Sequence, residues 1–244
     1  IHMYFDLKKR IYVVTGASGG IGSALVNLLN KEGAELFLID TDQTSLDQLK
    51  KEQATHQNQN YFINSNLKDF KEITDNLQKP ISGIIHLAGQ LESDNVTSNK
   101  KPIWERAIQN NLTNAYDIIE NLIPFFDKNI IGKIILTSSL AYRRGGFDFI
   151  PYTASKGGIT GLVRAYSRKL APEILVNGLA PGIIDTKMPK TLIKNRGDEL
   201  LKQIPQKRFG KPEEVASVIM FLLSEAASYI NGQIINIDGG IINS

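Results

Sequence analysis

The run Ile11-Tyr-Val-Val-Thr-Gly-Ala-Ser-Gly-Gly-Ile-Gly22 decides the fold. Its first part, Ile11 to Thr15, is apolar and β-branched, the composition of a buried strand. Gly16, Gly20 and Gly22 follow, then apolar residues recur at helical spacing from Ile21 to Leu29, with Gly33 as a stop signal. The order is strand, glycine turn, helix. A backbone without Cβ atoms turns tightly and lets a pyrophosphate approach, and the helix N-terminus offers it unpaired N–H groups. Ser18 and Ile21 belong to the same turn. Many strand–helix turns carry glycine for packing alone, so the nucleotide reading needs support from the rest of the chain.

Outward from this turn, strands and helices alternate. Strands are predicted at 36–40, 61–64, 81–88, 133–138, 174–179 and 232–238, and helices over about 43–53, 69–78, 102–126, 152–170, 186–203 and 211–224. The strands are near-continuous apolar runs, which belong to a parallel sheet covered on both faces. The prediction is a doubly wound α/β fold. No linker, repeat or low-complexity tract divides the chain, so residues 1–244 are read as a single domain, with Ile1 and His2 before Met3 read as an expression scar.

Composition narrows the function classes. No apolar run reaches the length of a membrane span, and the start lacks the apolar core of a signal peptide. The chain has no cysteine, which removes disulfides, zinc–thiolate sites and thiol nucleophiles, and fits a cytoplasmic protein. No metal site is expected. A net charge of +3 does not point to nucleic acid.

Two further places carry chemistry. Asp40 ends the second predicted strand, where a carboxylate can accept hydrogen bonds from an adenosine ribose; its competing role is to cap the next helix, which Thr41 or Asp42 could do instead. A carboxylate there repels a 2′-phosphate, and no Arg or Lys lies within residues 17–20 or just after Asp40, so NAD is expected over NADP. The second place is Ser138 to Lys156. Tyr152 and Lys156 are one helical turn apart and leave the same face. A phenol near a fixed positive charge is a proton donor and acceptor tuned toward neutral pH. Taken alone the pair is equally an ordinary exposed helix pair.

Together these residues resemble the short-chain dehydrogenase/reductase family, over nearly the whole chain from about Lys8 to Gly240. Thr15 to Gly22 corresponds to that family's T-G-x-x-x-G-I-G, and Tyr152-Thr-Ala-Ser-Lys156 to its Y-x-x-S-K. Ser139 stands thirteen residues before the tyrosine, the family's usual interval. Asn111 matches the asparagine of the long middle helix, Pro181-Gly-Ile-Ile-Asp-Thr186 resembles P-G-x-I-x-T, and Gly232 to Gly240 resembles the final strand. The resemblance implies a Rossmann-like, seven-stranded sheet of order 3-2-1-4-5-6-7. It also implies hydride transfer between a nicotinamide cofactor and a secondary alcohol or ketone. Tyr152 would be the general acid/base, with Lys156 favouring its phenolate and holding the ribose. Ser139 would orient the reacting oxygen, Ser138 face away, and Asn111 hold a water linking Lys156 to solvent. Thr186 and the Ile184 backbone would hold the carboxamide, with Pro181 and Gly182 in the same cofactor-binding segment. Two departures stand out. His86-Leu-Ala-Gly89 replaces N-N-A-G, keeping Ala88 and Gly89 beside the ribose, and His86 is read as a satisfied core histidine. Asn66-Leu67 replaces Asp-Val near the adenine.

The substrate region is expected to comprise Leu140 to Pro151, with Arg143 and Arg144, and a lid over 187–207. That lid carries Lys187, Lys190, Lys194, Arg196, Lys202 and Lys207 against Asp198 and Glu199. These cations are read as a solvated helix face, or else as recruiting an anionic substrate. The leading function is an NAD-dependent alcohol or sugar/polyol dehydrogenase. The enzymatic alternative resembles an NADPH-dependent 3-oxoacyl-carrier-protein reductase, and the non-enzymatic one is a silent nucleotide sensor or scaffold. Relatives are usually homotetramers, so a homotetramer or homodimer is expected.

Overall fold

The computed structural model describes residues 7–56, 58–96 and 98–242; Ile1 and His2, read as a scar, lie outside them. Seven strands form one sheet in the order β3-β2-β1-β4-β5-β6-β7. They are β1 Ile11–Thr15, β2 Glu35–Asp40, β3 Asn60–Asn64, β4 Gly83–His86, β5 Gly132–Thr137, β6 Ile174–Pro181 and β7 Ile234–Ile237. Every pairing is parallel. The sheet grows one way through β3 and then the other way from β4. This opens a crevice at the C-terminal ends of β1 and β4, the place where open α/β sheets bind ligands.

The two faces of the strands sort the core. Val14, Ile85, Ile135 and Leu179 pack with Leu25 and Leu29 of α1 (Gly20–Lys31) and with Val215, Ile219 and Leu222 of α9 (Pro212–Leu223). The adjacent residues Val13, Ile84, Ile134 and Val176 face the other way, against α5 (Asn114–Leu122) and α7 (Ile150–Lys169). Period-two alternation with both sides apolar is what made each strand a continuous hydrophobic run. Four further helices are α2 Gln43–Gln53, α3 Lys71–Asn76, α4 Lys101–Ile108 and the short α6 Ala141–Arg144, which no periodicity predicted; α8 (Lys190–Gln203) lies in the lid, starting later than expected and breaking helical geometry at Arg196 (φ −136°, ψ 19°). No helix among the described residues is long and apolar enough to cross a membrane.

The expected helix over 102–126 is not continuous. A π turn, Gln109–Thr113, separates α4 from α5, and a 3₁₀ turn, Ile123–Phe125, follows at Pro124. The π turn carries fully buried Asn111, whose Nδ2 donates to the Gln90 carbonyl (3.0 Å) while its Oδ1 accepts from the Gln90 N–H (2.6 Å). The side chain thus ties the widened turn to the segment leaving β4, and π bulges are characteristic of such functional positions.

The glycine turn is sterically closed. A Cβ on Gly22 would stand 2.2 Å from the Gly16 carbonyl oxygen and 2.7 Å from that of Ala17. Both are backbone atoms that cannot swing aside. Gly22→Ala is therefore expected to destabilise the protein by about 2–3 kcal/mol, read as a lower urea midpoint at unchanged slope. A loss below about 0.5 kcal/mol would contradict the close packing of this turn.

Candidate active site

The site forms where β1, β4, β5 and β6 end. Gly16 takes φ +66°, and a Cβ there would lie 2.8 Å from the Ala88 nitrogen, so the turn rests directly on the exit of β4. The start of α1 has no side-chain cap and no acidic residue in its first turn. Its N–H groups and partial positive charge are left for an anion.

Asp40 sits beside this turn. Its Oδ2 accepts from the Ser18 N–H (3.0 Å) and Ser18 hydroxyl (2.7 Å), and its Oδ1 from the N–H groups of Thr41 (2.8 Å) and Asp42 (3.3 Å). Capping of α2 falls to Asp42, which accepts from the Ser45 N–H at 3.1 Å. Asp40 is thus free of the competing role and fixed to the turn, with its carboxylate at the cleft. Asn66 is exposed, and its Oδ1 already accepts from the Lys68 N–H (3.1 Å); Leu67 is buried with φ +61°.

The catalytic candidates come from α7 and the exit of β5. Tyr152 and Lys156 are buried, and Lys156 Nζ donates to the Thr137 carbonyl at 2.8 Å. Nζ stands 5.7 Å from the Tyr152 ring centre. The Ser138 hydroxyl is taken up by the Lys156 carbonyl, to which it donates at 2.7 Å, although the residue also lines the cavity. The Ser139 hydroxyl accepts from the Ala141 N–H (3.2 Å) and interacts with the Tyr152 phenol. Gly89 passes between Asn111 and Lys156: a Cβ there would meet Asn111 Oδ1 at 2.8 Å and Lys156 Nζ at 3.1 Å.

The electrostatics differ from the charge-sharing the spacing suggested. Burial pushes the Tyr152 phenol up, with the Ser139 hydrogen bond opposing it, and burial pulls the Lys156 ammonium down to about 8. Desolvation penalises both charged forms. With Nζ turned to Thr137, the protein alone favours neutral phenol.

His86 is only half satisfied. Its Nδ1 lies 2.8 Å from the Thr15 hydroxyl, which also accepts from the Ala88 N–H at 3.2 Å, so the ring braces the strand exit beside Gly89. Its Nε2 is buried without a hydrogen-bond partner. Burial, with a smaller contribution from the Lys156 charge, pushes the ring down to about 3. It stays neutral at any working pH.

The loop after β6 closes the site. The Gly182 N–H donates to the Ile237 carbonyl (2.9 Å), and Ile184 bridges to Gly210. A Cβ on Gly20 would meet the Thr186 methyl at 2.5 Å, which places Thr186 over the glycine turn. Ile21, Gly89, Ser139, Tyr152, Lys156, Pro181, Gly182, Ile184 and Thr186 all line one cavity of about 640 Å³. Asp40, Ser18 and Asn66 lie outside it, toward β2 and β3. Arg144 lines the cavity; Arg143 does not, and instead donates to the Tyr142 hydroxyl at 2.6 Å. Phe149, Leu192 and Leu200 line the cavity from the two segments expected to form it; Leu91, just past β4, lies outside both and was missed. Glycines that approach closely, an uncapped helix start and a fixed carboxylate at the second strand fit a dinucleotide.

Comparison with known proteins gives a consistent set. A family model described as enoyl-(acyl carrier protein) reductase matches residues 16–242. The chain is 34% identical to the 3-oxoacyl-[acyl-carrier-protein] reductase of Thermotoga maritima, covering 97% of this chain and 99% of the relative. A solved structure from Brucella melitensis, described as a short-chain dehydrogenase/reductase of the glucose/ribitol dehydrogenase type, superposes with a TM-score of 0.92 at 34% identity, covering 99% of this chain and 100% of the other. A 3-oxoacyl-[acyl-carrier protein] reductase from the same organism, solved with bound NAD, gives a TM-score of 0.86 at 26% identity, covering 99% and 94%.

Proposed function

The chain belongs to the short-chain dehydrogenase/reductase family, and from that membership we propose that it moves a hydride between NAD and a secondary alcohol or ketone, with Tyr152 as the proton donor and acceptor. The observation that carries this reading is that Ser139, Tyr152 and Lys156 line the same cavity as Ile184 and Thr186. The nicotinamide supplies the hydride chemistry when bound. The protein's own residues do the rest. Ser139 hydrogen-bonds the reacting oxygen and sets it against the Tyr152 phenol. Lys156, whose ammonium is anchored to the Thr137 carbonyl, would hold a ribose hydroxyl of the bound cofactor. Asn111 ties the π turn to the β4 exit through its two bonds to the Gln90 backbone and would hold a water that links Lys156 to solvent. Thr186 and the Ile184 backbone would hold the carboxamide. A panel of alcohols and ketones followed by NADH absorbance tests the reading, and no turnover of any member would remove it.

NAD is proposed over NADP because Asp40, a carboxylate fixed to the glycine turn at the end of β2, would repel a 2′-phosphate on a ribose bound there. A like-charge repulsion of roughly 3 kcal/mol near the surface predicts that kcat/KM with NAD exceeds that with NADP by about a hundredfold, and that Asp40→Ala closes most of the gap. Equal use of both cofactors by the wild type would overturn the assignment. A second reading, reduction of a 3-oxoacyl thioester with NADPH, draws on the relative's name. The exposed Trp104 and Tyr116 on α4 and α5 support pairing of copies through that face into a homodimer or homotetramer, and the cytoplasm is the proposed setting.

A further inference from the structure

The cavity lining mixes polar groups, Ser139, Tyr152, Lys156, Arg144, Asp148 and Arg196, with large apolar ones. Leu91, Leu140, Phe149, Leu192 and Leu200 supply the apolar part, from the segment after β4, the β5–α7 connection and the lid. Three more lining residues form its rim and face water: Phe147 is 92% exposed, Ile150 60% and Met188 50%. Large apolar side chains scattered over a surface need no explanation, but three together at the mouth of a reactive cavity form a patch continuous with it.

The cations that could have read an anionic substrate are otherwise engaged. Arg144 donates to Gln203 of α8. Arg196 makes two bonds to Glu199 (2.9 and 2.7 Å) and also feels the charge of Asp148, another lining residue. Lys187, Lys190, Lys194, Lys202 and Lys207 do not line the cavity. A polyhydroxylated substrate would bring hydroxyls against leucine and phenylalanine side chains that offer no hydrogen bond, each at a desolvation cost.

We infer that the substrate is a ketone, or its alcohol, bearing a long apolar body that fills the leucine–phenylalanine walls and runs out over Phe147, Ile150 and Met188. This rests on the oxidoreductase reading above and adds to it that affinity comes from apolar length rather than from hydroxyls or charge.

The test is a homologous series, butan-2-one to dodecan-2-one, reduced by the complete protein with NADH, beside ribitol and octan-2-ol with NAD. Each buried methylene should raise kcat/KM about threefold to fourfold, and octan-2-ol should exceed ribitol by at least about a hundredfold. In the triple variant Phe147→Ser, Ile150→Ser, Met188→Ser, the dependence beyond six carbons should flatten to less than about 1.5-fold per methylene. The three positions are exposed, so the fold should tolerate the changes, and circular dichroism checks that. A flat series in the wild type, or ribitol preferred over octan-2-ol, overturns the inference while leaving the oxidoreductase reading in place. Calorimetric titration of the same ketones into Tyr152→Phe separates the two ideas. Length-dependent binding without turnover by the wild type upholds the apolar site and sinks the reaction; binding that ignores length sinks the apolar site.

Discussion

Tyr152→Phe is expected to lower turnover by about 10³-fold or more while NAD affinity stays within about threefold. The change removes one hydroxyl and keeps the ring. Tyr152 is 9% exposed and its ring is part of the packed start of α7, so phenylalanine fills the same volume and the wall of the cavity stands. What disappears is the proton donor and acceptor. General acid–base groups contribute about 10²–10⁴-fold, and the Ser139 hydroxyl, which cannot replace the phenol as proton donor, would still orient the reacting oxygen. Ser139→Ala should cost less, because the phenol remains. The direction of the phenol's shift adds a pH signature. Burial pushes it up, so at neutral pH it is the protonated form, the form that donates to a carbonyl. Carbonyl reduction should then fall as pH rises through the phenol's titration, and alcohol oxidation, which needs phenolate, should rise over the same interval. Measuring both directions at matched pH, together with NADH binding by fluorescence, checks the prediction. A variant with a tenth of wild-type turnover would remove Tyr152 from its role.

The residues that were legible in the sequence are those whose role is fixed by local geometry. Gly16 needs a positive φ and Gly22 a backbone contact, so no other residue type serves and the pattern shows. Tyr152 and Lys156 share a helix face, and a spacing of four residues reveals that. The parts that were not legible depend on contacts between distant segments. The π turn at Gln109–Thr113 follows from Asn111 reaching Gln90, a pairing across β4 that no periodicity encodes. The half-satisfied His86 was expected to be fully satisfied; its partner is Thr15, on another strand, and its second nitrogen faces a layer built from α5 and α7. The apolar rim was hidden because its members come from the β5–α7 loop and the lid, where the basic residues of the lid dominate the sequence. Most of those basic residues turn out to lie away from the cavity.

Lys156→Met is expected to abolish turnover and yet raise the stability of the cofactor-free protein at pH 7, by about 1–3 kcal/mol. Lys156 is 4% exposed, and burial pulls its ammonium from the ordinary 10.5 to about 8. Two and a half pKa units correspond to roughly 3 kcal/mol against the charged form, at about 1.4 kcal/mol per unit. Methionine has nearly the same length and no charge to bury. Its cost is the bond from Nζ to the Thr137 carbonyl, about 1 kcal/mol for a typical hydrogen bond. Replacing a buried charge by a well-packed apolar group commonly stabilises by a similar amount. The pH dependence follows in sign. Between pH 8 and 10.5 the unfolded chain holds a proton on this lysine that the folded chain has released, so wild-type stability rises with pH over that interval. Below about pH 8 the folded protein carries the full penalty. The advantage of Lys156→Met should therefore be largest at pH 7 and shrink toward pH 10.5, a comparison in which the other titrating groups, Tyr12 among them, are common to both proteins. Urea midpoints at pH 7 and pH 10 measure it. A variant less stable than wild type at pH 7 would show that the ammonium is held by more than the Thr137 carbonyl. A more stable, inactive variant would mean that the charge is kept at a cost to the fold, for the ribose and the phenol it serves.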